Sequence, residues 1–307
     1  MTTIGRAEQM SYRVVIPTAG IGSRLKILTK YINKSLVSVS NRPTISHLIE
    51  QFPLECEFVI ALGYKGNLVR DFLELAYPTR TFFFVNVDPY EGVGSGLGFT
   101  LKACEQYLQQ PFVFISCDTL VKGVIPNPDH DWMGFTQKDN LEEYRTVKIS
   151  RGFVSEICEK GVIRENLRAY IGLAGIFNYE SFWQAMHLGA VVSIDQGEAY
   201  GMRSLLTHTK ILGYDFKWFD TGNLDSLAIA RVVYAEPNQP NILEKQNEAI
   251  WFVDNAVIKY SDDVDFIANR INRVDELRGF VPSIEAYRAN MYRYEKIDGD
   301  VPVSYTH

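Results

Sequence analysis

Four side chains suited to handling a polyphosphate stand far apart in the chain. Arg24 and Lys34 lie in and after a glycine-rich segment, and Asp118 and Asp220 each lie at the end of an apolar run. The segment Thr18-Ala19-Gly20-Ile21-Gly22-Ser23-Arg24-Leu25 follows directly on the hydrophobic run Tyr12 to Pro17. Glycine lets main-chain amides approach an anion with no Cβ in the way, so Ala19, Gly20, Gly22 and Ser23 are the residues expected around bound phosphates. The segment is not a dinucleotide fingerprint, because Leu25 stands where the third glycine belongs, and no GK[ST] closes it as a P-loop. Transfer of a phosphoryl or nucleotidyl group puts negative charge on oxygens, which Mg2+ held by one or two carboxylates offsets. Asp118 and Asp220 are the expected metal ligands, since an acid just past an apolar strand lies at the carboxyl edge of an α/β sheet, where such sheets bind ligands. Taken singly, each feature has a plainer counterpart: a glycine turn with two solvated cations, a capping aspartate at 118, a turn aspartate ahead of Gly222.

The elements that must position these groups read as an α/β fold. Short apolar runs alternate with helical patterns from about residue 12 to 235, as βαβ units do on a mostly parallel sheet. Buried strands are expected at Tyr12 to Pro17, Cys56 to Leu62, Thr81 to Val87 and Phe112 to Cys117. Ile45, Leu48, Ile49 and Phe52 share a helical face behind Pro43, and Leu68, Phe72 and Leu75 share another behind Gly66. From Trp132 to Ile157 the pattern turns ribbon-like, with strands at Thr146 to Ile149 and Phe153 to Ile157, and reads as a sheet insertion on the substrate side. Pro237-Asn238-Gln239-Pro240 breaks both helix and strand. It divides a domain over 1–236 from a small α+β segment over 241–307, in which strand-like runs (Ala249 to Tyr260, Met291 to Ile297) flank a helical pattern (Asp262 to Leu277).

Arg24, the sequence Leu28-Thr29-Lys30-Tyr31-Ile32-Asn33-Lys34 and the two aspartates together resemble the sugar-phosphate nucleotidylyltransferases. Their pattern is a Gly-rich loop, an Arg, a Pro-Lys pair at this spacing, a strand-terminal acid and a Trp-x-Asp-x-Gly segment, here Trp218-Phe219-Asp220-Thr221-Gly222. The resemblance implies that Arg24 grips the triphosphate. It implies that Lys34 touches the α-phosphate and the incoming phosphate, stabilising charge in the transition state, and that Asp118 and Asp220 hold Mg2+. Asn33 replaces the usual proline. The run Gly92 to Gly98 resembles the segment lying against the nucleobase, which makes Gly94 and Ser95 nucleotide-binding residues, and Ser95 is also expected to cap the helix that follows. Glu159-Lys160-Gly161 resembles a Glu-Lys-Pro segment that contacts the acceptor, with Lys160 offering a point charge to its phosphate. Tyr170 to Phe177 matches the strand beside the acceptor, where Gly172 leaves room. Glu198 and Tyr200 are further candidates to face the acceptor, though no motif supports either.

The resemblance spans about residues 12 to 235. It implies a Rossmann-like mixed sheet flanked by helices, of the nucleotide-diphospho-sugar transferase type, and a reaction in which NMP passes from an NTP to a phosphorylated sugar, alditol or amino alcohol. CTP and a place in capsule or surface-polysaccharide assembly are expected by analogy. Residues 249 to 298 resemble part of the small lobe of a choline or aminoglycoside kinase-type phosphotransferase, with Lys259 closing a strand. No HxD...N or DFG-like aspartate follows before His307, so a fused kinase lobe missing from this chain is one expectation. Packing of a remnant is the other.

Composition narrows the partners. A net charge of -6 over 307 residues gives no broad cationic field for nucleic acid, and no apolar stretch is long enough to cross a bilayer. Cys56, Cys104, Cys117 and Cys158 form no CxxC pair, which argues against a disulfide framework or a zinc site. Residues 1 to 10 lack a secretory apolar core, so a cytoplasmic protein is expected. The sequence leaves homo-oligomerisation open. A non-catalytic nucleotide or sugar-phosphate sensor on the same fold is the alternative function, and the retained pair of acids speaks against it. A Rossmann oxidoreductase lacks both its third glycine and an acid closing a second strand near residue 40.

Overall fold

The apolar runs of the first 120 residues are rich in β-branched and aromatic side chains that fit a pleated, buried surface. The computed structural model, which describes residues 11–237, 240 and 242–297, places them side by side. Strand β1 (Arg13–Pro17) leads through the glycine-rich loop to a two-residue hairpin of β2 (Ser38–Val39) and β3 (Arg42–Pro43) and to helix α1 (Thr44–Ile49). β4 (Glu57–Leu62), α2 (Gly66–Ala76), β5 (Phe82–Asn86), α3 (Leu97–Cys104) and β6 (Phe112–Ile115) follow. Pro43 stands just before α1, consistent with proline's fixed φ and missing N–H at a helix start. β5, β4, β1 and β6 lie adjacent and parallel, joined by crossovers that carry the helices to the sheet faces.

Past β6 the chain leaves the sheet. β7 (Thr119–Lys122) stands apart, and β8 (Trp132–Thr136), β9 (Thr146–Ser150), β10 (Phe153–Cys158) and β11 (Leu167–Ile176) extend the sheet in mixed directions. Helices α4 (Tyr179–Leu188), α5 (Ala190–Gln196) and α6 (Glu198–Leu205) precede β12 (Ile211–Asp215), β13 (Lys217–Asp220) and α7 (Leu224–Val233). The nine-stranded order is β5-β4-β1-β6-β11-β8-β12-β10-β9, with β11 antiparallel to both β6 and β8. The insertion expected over Trp132 to Ile157 is only partly one: β8 lies within the main sheet between β11 and β12, while β9 and β10 form a hairpin beyond β12 in which β9 also pairs with β11. β13 returns to pair antiparallel with β7 in a separate ribbon, Asp220 opposite Thr119.

The C-terminal segment forms the antiparallel sheet β14 (Glu248–Val253), β15 (Ala256–Ser261), β17 (Met291–Glu295), β16 (Ile284–Arg288), in that spatial order, with α8 (Val264–Arg273) between β15 and β16 in the chain. It is an α+β appendage, but the run Ala249 to Tyr260, expected as one strand, is a hairpin of two strands that turns at Asp254 and Asn255. The breaker at 237–240 lies partly outside the described residues, as do residues 1–10 and 298–307. The appendage shares its core with the main domain. Trp251 is fully buried, packs edge-on to Phe72 of α2 at 5.2 Å between centroids, and donates to Ser38 Oγ at 3.0 Å. Tyr260 donates to the carbonyl of Tyr31 at 2.7 Å, three residues before Lys34. Arg288 and Arg293 reach Glu74 and the carbonyl of Leu75 on α2.

Trp251 therefore ties the appendage to the domain core and to the segment that carries Lys34. Trp251→Ala is expected to lower stability by about 3 to 5 kcal/mol, the range for emptying a large aromatic site, as a single cooperative loss of both units in urea unfolding. Separate transitions would show that they fold independently.

Candidate active site

At the carboxyl end of β1 the loop turns with Gly22 in the left-handed region at φ 72°. A Cβ there would stand 2.8 Å from Cβ of Lys34, so glycine is required for the loop to lie against the lysine. The amides of Gly20, Ile21 and Gly22 donate to no group among the described residues. Ala19 is buried and its carbonyl receives the amide of Tyr64, whereas Ser23 is exposed at the start of a 3-10 turn.

Asn33, which replaces the proline of the resembled pattern, explains how Lys34 is aimed. Its fully buried side chain accepts from the amide and hydroxyl of Ser35, capping the 3-10 turn Lys34–Leu36. Its Nδ2 donates to the carbonyls of Thr18 at 2.8 Å and Tyr64 at 2.6 Å. One amide thus pins three loops, which a proline side chain, with no polar atoms, cannot do.

Asp118 sits where β6 ends and β7 departs. Lys34 Nζ meets its Oδ2 at 3.0 Å and the Ser116 hydroxyl donates to its Oδ1 at 2.7 Å, with the two charged side chains only 19% and 16% exposed. Burial alone would push the Asp118 carboxyl up. The Lys34 ammonium, the Ser116 hydroxyl and Arg24 outweigh it and hold the carboxyl at about 2. Burial likewise opposes the Lys34 charge, and Asp118 together with Cys117 overcomes it, leaving the ammonium above its usual range. Gly172, at φ 70°, crowds Ser116 so closely that a Cβ would stand 3.0 Å from Ser116 Cβ, and its carbonyl takes the Ser116 amide at 2.8 Å.

The β7–β13 ribbon delivers the second acid. Thr221 donates its amide to the Asp118 carbonyl at 2.9 Å, and Asp220 accepts the Gly222 amide at 2.8 Å. A Cβ on Gly222 would lie 2.9 Å from Arg24 Nη2, 3.0 Å from Asp220 Oδ1 and 3.1 Å from Asp118 Oδ2. Arg24, Lys34, Asp118 and Asp220 thus converge at one point. Burial and then the charge of Asp118 push the Asp220 carboxyl up, and the Gly222 amide, Arg24 and Lys138 only partly oppose this. Two neighbouring carboxylates that repel one another in a half-buried site are the hard oxygen donors a Mg2+ ion takes alongside phosphate and water. Among the described residues no cluster of three or more His, Cys, Asp or Glu forms a self-sufficient metal site.

A cavity of about 180 Å3 opens beside this centre, lined by Arg24, Asp118 and Asp220 and also by Arg145, Lys160, Tyr170, Gly172 and Glu198. Lys160 and Gly172 thus face the centre. The Glu159 carboxylate is held by Arg203 at 2.5 Å and Arg145 at 3.2 Å. Gly94 and Ser95 lie in an exposed loop. Ser95 does not cap α3 as expected: its hydroxyl turns back to the Gly92 carbonyl at 2.7 Å, and Gly96 occupies the cap position. Gly96 and Gly98 serve packing, since a Cβ on either would strike a carbonyl oxygen of α5, Ile194 or Ser193. Tyr170, on the strand expected beside the acceptor, and Glu198, for which the sequence offers no firm reason, both line this cavity.

No family model matches the chain. The bifunctional protein GlmU of Methanococcus vannielii is 20% identical over 257 residues, covering 80% of this chain, and the chain spans 60% of that protein's length. Similar solved structures include a UDP-glucose pyrophosphorylase complexed with UDP-glucose (TM-score 0.63, 18% identity, 73% of this chain and 98% of that one). A candidate glucose-1-phosphate thymidylyltransferase from Bacillus anthracis (0.63, 18%, 77% and 98%) is another. The CTP:phosphocholine cytidylyltransferase of Streptococcus pneumoniae (0.58, 14%, 73% and 99%) is a third. The fold of this chain is the fold these nucleotidylyltransferases share.

Asp118→Asn strands a buried ammonium and should cost about 3 to 5 kcal/mol, while Lys34→Met combined with Asp118→Asn should recover most of that loss in urea titrations. The Asp118 carboxyl is lower in the folded chain than in the unfolded one, so its contribution is complete above roughly pH 4 and is lost as pH falls toward 2. The stability gap between wild type and Asp118→Asn should accordingly shrink over that interval.

Proposed function

We propose that this chain is a nucleotidylyltransferase that passes the NMP group of an NTP to a phosphorylated sugar, alditol or amino alcohol and releases pyrophosphate. The meeting of Lys34, Arg24, Asp118 and Asp220 around Gly222, at the carboxyl ends of the parallel strands, carries this reading. The unpaired amides of Gly20 to Gly22 suit the β- and γ-phosphates, and Arg24 adds charge to the same group. Lys34 lies between loop and Asp118, where its ammonium meets the charge that builds as an acceptor phosphate oxygen attacks the α-phosphorus. One new P–O bond forms and the bond to the bridging α–β oxygen breaks, with the electron pair leaving on pyrophosphate. Asp118 and Asp220 would hold a Mg2+ ion, whose charge offsets that of the phosphates.

CTP is the favoured nucleotide, supported by the cytidylyltransferase among the structural neighbours. Capsule or surface-polysaccharide assembly in the cytoplasm is the setting in which such activated phosphates serve. The helix after the Lys259-bearing β15 and the order β14-β15-β17-β16 keep a kinase small lobe as the reading of the appendage.

Pyrophosphate release should be measured over five NTPs against sugar, alditol and amino alcohol phosphates, with and without Mg2+. Lys34→Ala and Asp220→Ala should each reduce kcat by roughly 100-fold or more, the scale for losing a group that stabilises transition-state charge. NTP binding without pyrophosphate release under every condition would make the chain a sensor.

A further inference from the structure

Where the main domain meets the appendage lies a second cavity, of about 420 Å3. Leu28 and Ile32, from the segment between Arg24 and Lys34, form an apolar wall with Val37 and with Ile250 of β14. The irregular stretch 242–246 lines it as well, and its Leu243 is 82% exposed. A mainly apolar wall, a few charged groups and a place between two units are usual for a small-molecule site of this volume.

The charges around the cavity do not balance. Arg231 of α7 donates to both carboxylate oxygens of Glu244, at 2.7 and 3.1 Å, and to the Ser38 carbonyl at 3.0 Å. Lys245 holds Glu248 at 2.9 Å. Lys259 is left over: its ammonium comes no nearer to Glu248 than 3.9 Å, stands 5.3 Å from the Phe266 centroid and makes no hydrogen bond among the described residues. Its side chain is 20% exposed, and burial pushes its pKa down with Glu248 opposing only in part. An ammonium in such a place is costly without an acceptor, and an incoming oxygen anion relieves it. Three cations face two carboxylates in the lining, which leaves one positive charge to spare. That suits a carboxylate better than a phosphate monoester, which carries nearly two negative charges at neutral pH.

The apolar wall belongs to the segment that sets the reacting groups. Leu28 lies in a 3-10 stretch broken by a kink at Lys26, whose φ is 53°. A ligand packed on Leu28 and Ile32 keeps those contacts only while the segment holds the position that brings Arg24 and Lys34 together, and so it favours that position.

We infer that this cavity binds a small carboxylate with an apolar body, its anionic end on Lys259, and that the bound molecule raises affinity for the nucleotide through the segment between Arg24 and Lys34. The coupling rests on the reading of those two residues as nucleotide-binding groups, whereas the carboxylate site does not.

Calorimetric titration of the full chain tests this with octanoate as the probe, and with octan-1-ol and octyl phosphate as arms that share its apolar body. Octanoate is expected to bind roughly tenfold or more tighter than octan-1-ol, the scale of a charge-assisted hydrogen bond. Lys259→Gln should remove that advantage with the melting temperature preserved. Saturating octanoate should lower Kd for the best-bound NTP, with Mg2+ present, by about fivefold or more in wild type, and leave it unchanged in Lys259→Gln. Equal affinity for octanoate and octan-1-ol, tighter binding of octyl phosphate, or full octanoate affinity in folded Lys259→Gln each overturns the carboxylate site. Octanoate binding that leaves the NTP Kd unchanged overturns the coupling. No NTP binding at all overturns both the coupling and the nucleotidyl-transfer reading, while the carboxylate arms still decide on the cavity.

Discussion

A largely buried ion pair, Lys34 with Asp118, is the constraint around which the rest of the site is arranged. Either charge alone would be expensive in that position, and each makes the other tolerable. The pair also joins two distant parts of the chain, the loop after β1 and the end of β6, and so fixes the separation between the phosphate loop and the acids. Asn33 on one side and Ser116 on the other hold the partners in place, and Ser116 also lines the cavity beside them.

The second acid is placed by backbone geometry. β6 ends at Ile115, the chain turns through Ser116, Cys117 and Asp118, and β7 leaves the main sheet to pair with β13. That ribbon sets Asp220 opposite Thr119, while Thr221 bonds to the Asp118 carbonyl. The asymmetry between the acids comes from their neighbours: against burial, Lys34 and Ser116 hold the Asp118 carboxyl low, while burial and the charge of Asp118 raise that of Asp220 despite Arg24 and Lys138.

The appendage contributes from behind. Trp251 and Tyr260 pack on α2 and bond to Ser38 and Tyr31, so the small sheet braces the stretch that leads into Lys34 and the hairpin just after it. Its outer features, the exposed Phe280 and the arginines of α8, take no part in that contact. One of the two core clusters among the described residues thus runs from β1 to the C-terminal sheet.

The sequence by itself determined the parallel strands of the first 120 residues and helices α1 and α2 between them. Apolar periodicity is a local property, and runs such as Phe112 to Cys117 admit few other structures. It also singled out Arg24, Lys34, Asp118 and Asp220, which the fold brings together, because a glycine-rich turn and strand-terminal acids stand out by residue type and position. Tertiary structure decided the rest. The capping expected of Ser95 failed because the loop closes on itself at Gly92, and Gly96 and Gly98 answer to the backbone of α5, a contact nearly a hundred residues away in the chain. Glu159 is claimed by Arg145 and Arg203, whereas Glu198, which no motif supports, is buried beside the cavity. Which carboxylate is neutralised by a neighbour and which is left facing a cavity depends on contacts made only when distant elements pack, and no local pattern records them.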